Sequence, residues 1–430
     1  MPGCLPPGAP SGVSVQQPAE SHYSRWQMLN DWLVQHQPIW QPAPFTQRRP
    51  GWIQSYPGLA HMLAELTDAE CDALADAPGA LAERASRHLP ELALYDRLTS
   101  LPDLSPGLAE VRAATLPEAR ATDMPGRKRE QAGAFVAALQ PLKHATLDWC
   151  CGKGHLSRTL AASSRQPSEG YEWNPELVAS GNRLAARFGD GVQIRRQDVM
   201  AQSLRLPDQV HVAALHACGD LHRQLLRRGA AAALPRLSVS PCCYHKISDG
   251  PYEVLSEFAR AYDNRLKPHR DDLRLAVRET VTAPAGVRAQ ATTLSQWRLG
   301  FDGLQRAVRG ADHYLPLPSC SPRLIHKGFP AFCHWAAEKK QFRLPDNIDF
   351  DYWLAHGMQR HAEVRRYELL RHVFRRPLEL WMVLDYAVFL EEQGYRVRLG
   401  HFCARTLTPR NLLLDAVRVC GTPPTQHSRL

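Results

Sequence analysis

Short apolar runs alternate with helical stretches between residues 121 and 247, a rhythm that predicts a parallel sheet covered by crossover helices. Runs at 145–149, 170–173, 192–195, 210–216 and 237–240 read as strands, while 156–163, 175–188 and 221–233 carry helical spacing. Residues 23–120 set Trp26, Trp32, Trp40 and Trp52 among helical patterns at 59–66 and 68–92. This predicts a helical N-terminal domain whose tryptophans are packing groups. The rhythm breaks again over 248–376, a mostly helical and basic insertion. An amphipathic helix is expected at 378–394. Strand-like segments at 395–403 and 412–419 flank a turn at 408–411 and are expected to pair, so that 377–420 completes the sheet.

The ends carry little structure-forming pattern. Residues 1–22, rich in Pro, Gly and Ser, predict a disordered lead-in, and 421–430 a tail. The start has no basic n-region with an apolar run behind it. The most apolar later stretch, 378–390, is broken by Glu379 and Asp385 and is too short to span a bilayer. A cytoplasmic protein with reduced thiols is the expectation.

Composition narrows the class without choosing a function. With 44% hydrophobic and 22% charged residues, the 430-residue chain is no disordered polymer, and eleven cysteines are too few for a disulfide scaffold. Basic residues outnumber acidic ones, 52 to 43, for a formal charge of +9, and only eight of the 52 are lysine. An anionic partner fits this balance, but genomic G+C bias produces the same arginine skew. The densest basic run, 359–376, holds six arginines against Glu363 and Glu368. On one helix Arg360, Arg371 and Arg375 would fall within about 60° of each other. Such a stripe is either a track for RNA phosphates or a solvated face.

The chemistry concentrates in the segment 147–157 (LDWCCGKGHLS): an apolar strand ending in an acid, a glycine loop and a helix. Gly152 and Gly154 permit turns and close ligand approach that a Cβ obstructs. Glu172 closes the second strand, 18 residues beyond Gly154, where a ribose diol needs an acceptor. Asp198 closes the third and suits an adenine amino group. Three acids ending three successive strands favour S-adenosylmethionine over a dinucleotide.

The segment D-x-C-C-G-K-G-H-L-S resembles motif I of class I S-adenosylmethionine-dependent methyltransferases, with Cys150 where glycine is commonest. Together with 215–221 (LHACGDL) and 240–246 (SPCCYHK), it is similar to a group of methyltransferase-like proteins. That group includes the ribosomal RNA adenine dimethylase domain-containing protein, the glutathione S-transferase C-terminal domain-containing protein and a tRNA 2′-O-methyltransferase. The segment 126–130 (GRKRE) resembles the group's leading basic-acidic motif. The resemblance covers about 121–247 and 377–420. It implies an α/β, Rossmann-like class I methyltransferase with a mostly parallel seven-stranded sheet, to which the N-terminal helical domain and helical insertion are added. S-adenosyl-L-methionine is the implied cofactor. Its candidate binding residues are Lys128, Asp148, Cys150, Gly152, Gly154, Glu172, Asp198 and His216.

The acceptor is less constrained. The Asn/Asp-Pro-Pro-aromatic tetrad of amino-directed nucleic-acid methyltransferases is absent after the fourth strand, where HACGD stands at 216–220. The group's tRNA member suggests instead a ribose 2′-hydroxyl of RNA. That reaction needs a proton acceptor and a positioned nucleophile. Asp220, His245 and Lys246 are candidates, although Asp220 is equally suited to capping the next helix. Cys150, Cys151, Cys218, Cys242 and Cys243 all close inferred strands at one sheet edge, near His155, His216 and His245. They suit zinc, a thiol nucleophile such as Cys242, or simple packing. No paired C-x2-C spacing is present, so no metal ligand is assigned. Methyl transfer to a protein or small molecule is one alternative, and a non-catalytic interaction module is the other.

Overall fold

The structure is a computed structural model that describes residues 20–164, 166–263, 265–278 and 285–419. Most of the expected lead-in and the expected tail lie outside the described residues. The centre is a seven-stranded sheet in the order β3-β2-β1-β4-β5-β7-β6. The strands are β1 (Thr146–Trp149), β2 (Ser168–Glu172), β3 (Val192–Arg196), β4 (His211–Cys218), β5 (Arg236–Cys242), β6 (Tyr395–His401) and β7 (Leu412–Arg418). The first five run parallel, and β7 lies antiparallel to both β5 and β6. Every strand overlaps one expected from the apolar runs. Continuous burial of β5 fits a central strand covered on both faces, whereas edge strand β3 leaves Arg195 and Arg196 exposed. The chain winds outward from β1 to β3, then returns to place β4 on the other side of β1. The carboxyl ends of β1 and β4 therefore border the crevice where such sheets bind ligands.

The N-terminal zone does not have a core of its own. Trp26, Leu33, Trp40, Leu63 and Leu92 belong to the same hydrophobic cluster as Val239 of β5 and Trp381. The Trp26 and Trp381 rings stack 6.2 Å apart, and Trp381 Nε1 donates to Asn30 Oδ1 at 3.1 Å. The single helical pattern at 68–92 divides into Asp68–Asp76 and Pro78–Ala85, because the residue before Pro78 is driven out of the helical region.

The helix expected to be amphipathic at 378–394 runs Arg375–Glu392 and is buried without a break from Pro377 to Val388. It lies between the N-terminal helices and the sheet, so it has no solvent face. Its buried acid Asp385 accepts from the Leu255 and Ser256 backbone N–H groups at 2.7 and 2.9 Å, and from Ser256 Oγ at 2.9 Å. Those bonds tie the first part of the insertion into the main core. The rest of the insertion has a separate aromatic core built on Trp297, Phe301, Phe329 and Phe332. Among the described residues, no helix is long and apolar enough to cross a membrane.

The arginine stripe is not a surface. Arg360 and Arg371, on the helix Phe350–Val373, are 8% and 5% exposed, and Arg375 belongs to the following helix. Arg360 Nη2 donates to Pro44 O at 2.8 Å, and Arg371 Nε to Trp40 O at 2.7 Å. Trp40 ends the short helix Gln37–Trp40, whose last carbonyls have no partner within that helix. These guanidinium groups therefore staple the insertion to the N-terminal zone rather than facing an RNA.

A buried polar ladder crosses four strands. Asp415 of β7 accepts from Arg236 Nε (2.8 Å) and Ser238 Oγ (2.7 Å) of β5, and from Arg398 Nη2 (2.6 Å) of β6. Ser238 Oγ also bonds His211 Nε2 of β4 at 2.7 Å. Burial alone would raise the Asp415 pKa, but the two guanidinium groups and Ser238 hold it down to about 2. A carboxylate held below its unfolded value stabilises the fold above about pH 4, and this contribution is lost as pH falls through about 2. Asp415→Asn should therefore lower stability at pH 7 by roughly 2 kcal/mol. In urea titrations the gap from the unsubstituted protein should close progressively below about pH 4.

Candidate active site

The loop after β1 is built from left-handed residues. Cys150, Gly152 and Gly154 have φ of 60°, 59° and 72°. At Gly154, which begins the helix His155–Ser163, a Cβ would come within 2.5 Å of Ile194 Cδ1 as well as being strained. At Gly152 an added Cβ would meet nothing within 4 Å, so the outer side of the loop is open.

The three strand-ending acids occupy three different environments. Asp148 is 2% exposed and accepts from the Ser157 backbone N–H (2.9 Å) and Oγ (2.8 Å), pinning the helix to its strand. Burial raises its pKa to about 7, with Glu172 adding to the shift and the Ser157 bonds opposing it. Glu172 accepts from the N–H groups of Gly152 (3.0 Å) and Asn174 (2.9 Å), so it sets the shape of the loop. Asp198 is exposed and accepts from Met200 N–H at 2.9 Å through one oxygen. Lys128 is exposed on the first turn of the helix Gly126–Ala138, and its charge helps lower the pKa of both His155 and His216. Burial pushes the Cys150 thiol up to about 12, helped by Glu172 and Asp148, so it remains protonated.

The ends of β4 and β5 form the other half of the edge. His216 also has a left-handed backbone, φ 68°, where the β4–β5 register shifts. Its pKa falls to about 4, mainly through burial and then the Arg410 charge, so the imidazole is neutral. The buried amide of Gln131 bonds His216 Nε2, which makes Nδ1 the protonated nitrogen. Gln131 is absent from the residues expected from sequence. A glutamine directly after GRKRE was the available signal, but helical spacing does not say which strand it meets.

Asp220 is the first residue of the helix Asp220–Ala231, and its carboxylate accepts from Ser248 N–H at 2.7 Å rather than capping that helix. It positions the loop that carries His245 and Lys246. Lys246 is exposed, while His245 Nδ1 is buried without a hydrogen-bond partner. Cys242 is 4% exposed. Its bonds to Cys218 and Cys243, together with burial, push its thiol well up, whereas the same contacts favour the thiolate at Cys243. Cys242 is therefore a poor nucleophile.

A cavity of about 1260 Å³ is lined by other residues than those of the glycine loop. Its walls come from residues 103–117, the helix Gly126–Ala138, the helix Arg375–Glu392 and the loop between β6 and β7. Arg112, Arg129, Arg375, Arg376 and Arg405 line it, against the acids Asp103, Glu130 and Glu379. Two links join it to the strand ends. Glu130 faces the cavity while the next residue, Gln131, holds His216. Glu379 accepts from Tyr244 Oη at 3.1 Å, next to Cys243.

Residues 131–250 match a family model described as a methyltransferase domain. Among solved structures, the 23S rRNA methyltransferase ErmE is 19% identical over 26% of this chain and 45% of its own, with a TM-score of 0.22. TrmN from Thermus thermophilus is 17% identical over 29% and 42%, with a TM-score of 0.24. Precorrin-6y C5,15-methyltransferase from Geobacter metallireducens is 15% identical over 33% and 72%, with a TM-score of 0.23. The chain spans less than half the length of the first two. The strand order, the left-handed loop and the match give residues 131–250 the fold of a methyltransferase domain, with S-adenosylmethionine as cofactor. The residues present suit that group. Gly152 leaves open space, Asp198 offers an exposed carboxylate, and His155 Nδ1 is a buried polar atom with no partner beside the loop.

Asp198→Ala should weaken S-adenosylmethionine binding about tenfold or more, the worth of one charge-assisted hydrogen bond, with the melting temperature unchanged. Glu172→Ala should weaken binding and also lower the melting temperature, because it releases two loop N–H groups. Calorimetry paired with thermal unfolding separates the two.

Proposed function

We propose that this chain transfers a methyl group from S-adenosylmethionine to RNA, with a ribose 2′-hydroxyl as the acceptor. The observation that carries this reading is the cavity with five arginines in its wall, joined to the ends of β4 and β5 through Gln131 and Tyr244. Guanidinium groups suit phosphate, and the volume exceeds the roughly 300–1,000 Å³ usual for a small-molecule site. The resemblance of LHACGDL and SPCCYHK to the group containing a tRNA 2′-O-methyltransferase supports a hydroxyl acceptor. So does the missing tetrad for exocyclic amines.

When bound, the cofactor supplies an electrophilic methyl group on a sulfonium sulfur. The chain's own residues orient and hold. The loop 150–154 and Asp198 seat the cofactor, with Asp148 and Glu172 fixing the loop from beneath. Gln131 holds His216 so that its Nδ1–H is available as a donor. As the ribose oxygen takes the methyl group it gives up its proton, and His245, on the loop that Asp220 positions, is the candidate to receive it, with the exposed Lys246 cation beside it.

Labelled S-adenosylmethionine incubated with the protein and size-fractionated RNA should place label on ribose. The double charge reversal Arg112→Glu/Arg405→Glu should raise the RNA KM about tenfold or more and flatten the salt dependence by about two counterions. The cofactor Kd should be unchanged. Label found only in protein or metabolite fractions would reassign the acceptor, and absent cofactor binding would favour an interaction module.

A further inference from the structure

The sheet edge holds a second feature that methyl transfer does not require. Cys218 and Cys242 sit opposite each other across the β4–β5 pair, with their Sγ atoms 3.5 Å apart. The Sγ atom of Cys243 joins them, and all three lie within 4.8 Å of one another. Consecutive residues of a strand point to opposite faces, so Cys242 and Cys243 should diverge. They converge because Cys243 takes a left-handed backbone, φ 44°, at a cost of about 1–2 kcal/mol for a residue with a Cβ.

The surrounding loops hold this arrangement. Lys246 N–H donates to Cys243 O at 2.9 Å, Asp220 N–H to Lys246 O at 3.0 Å, and Gly219 N–H to Cys242 O at 3.3 Å. Gly219 is left-handed, and a Cβ there would come within 1.9 Å of Lys246 O, so the two loops close only around a glycine. Packing alone explains a buried small thiol, but it does not explain strain that brings three sulfurs together.

We propose that Cys218, Cys242 and Cys243 form a three-thiolate site for a thiophilic metal ion, with zinc as its occupant. A tetrahedral zinc bound at about 2.3 Å holds its sulfurs about 3.8 Å apart, against 3.5 Å between Cys218 and Cys242 and at most 4.8 Å for the other pairs. Three protein sulfurs leave a fourth position open. Each thiol that becomes a ligand releases its proton to solvent, so affinity rises with pH. The site clamps the end of β4 to the end of β5 where their register is interrupted. It stands independently of the RNA reading.

The test uses full-length protein, stripped with chelator under reducing conditions, reloaded with Zn²⁺ and freed of excess by gel filtration. Elemental analysis should find about one zinc per chain. Co²⁺ in its place should give a thiolate-to-metal charge-transfer band and the intense visible bands of tetrahedral cobalt. Cys243→Ser should weaken zinc binding about tenfold or more, while Cys320→Ser, outside the cluster, should leave it unchanged. Retention below about a tenth of an equivalent, or a cobalt spectrum without the thiolate band, overturns the proposal. So does zinc that survives Cys243→Ser. A Cys218–Cys242 disulfide in protein purified under reducing conditions overturns it as well, in favour of a redox pair. Should Cys243→Ser not fold, the stoichiometry and the cobalt spectrum of the unsubstituted protein decide.

Discussion

The structure depends most on one buried carboxylate. Asp415 receives hydrogen bonds from Arg236 and Ser238 of β5 and from Arg398 of β6, so the antiparallel pair at the sheet's edge is locked to its parallel part. The same guanidinium groups reach further: Arg236 Nη1 donates to Pro141 O at 3.1 Å and Arg398 Nη2 to Ala138 O at 3.4 Å. Ala138 ends the helix whose first turns carry Lys128, Arg129 and Gln131. One charge cluster thus positions the β6–β7 loop and the helix opposite it, two walls of the basic cavity. Burying these charges is tolerable because every carboxylate lone pair is used.

A second constraint operates at the carboxyl edge. Cys150, His216 and Cys243 follow or end β1, β4 and β5, and each takes a left-handed backbone that a side chain disfavours. Strain of this kind persists where the surroundings over-determine it, and three such residues lie at this edge. Cys151 N–H bonds Tyr171 O at 3.0 Å and Gly154 N–H bonds Cys151 O at 2.9 Å, holding the first of these turns from both sides.

The N-terminal zone and the insertion take on roles that follow from shared burial. Residues 103–117 wall the cavity, and Leu104 N–H donates to His401 O at 2.7 Å, extending the end of β6. The helix Arg375–Glu392, buried from Pro377 to Val388, presents Arg376 and Glu379 to the cavity while packing on Trp26. Stability and the cavity wall are therefore built from the same residues. Arg360 and Arg371 do their work inside the fold, whereas Arg112, Arg129 and Arg405 line the cavity.

Local pattern determined the seven strands, their pairing at the end of the chain, and the strand-loop-helix with its three acids. Those features rest on short apolar runs, on glycine's access to positive φ and on acids at strand ends, all of which a linear chain displays. Tertiary structure decided what each polar group faces. Asp148, Glu172 and Asp198 are all strand-ending acids, yet burial and backbone N–H partners make the first two supports of the loop, while the third is open to solvent. Helical spacing placed Arg360 and Arg371 on one face without revealing that the carbonyls of Trp40 and Pro44 cover it. Strand ends placed Cys218, Cys242 and Cys243 at one sheet edge together with Cys150 and Cys151, but only the folded chain shows that these three sulfurs are the ones that meet. Contacts between residues far apart in sequence are set by how strands and helices pack, and residue type and spacing do not encode that packing by themselves.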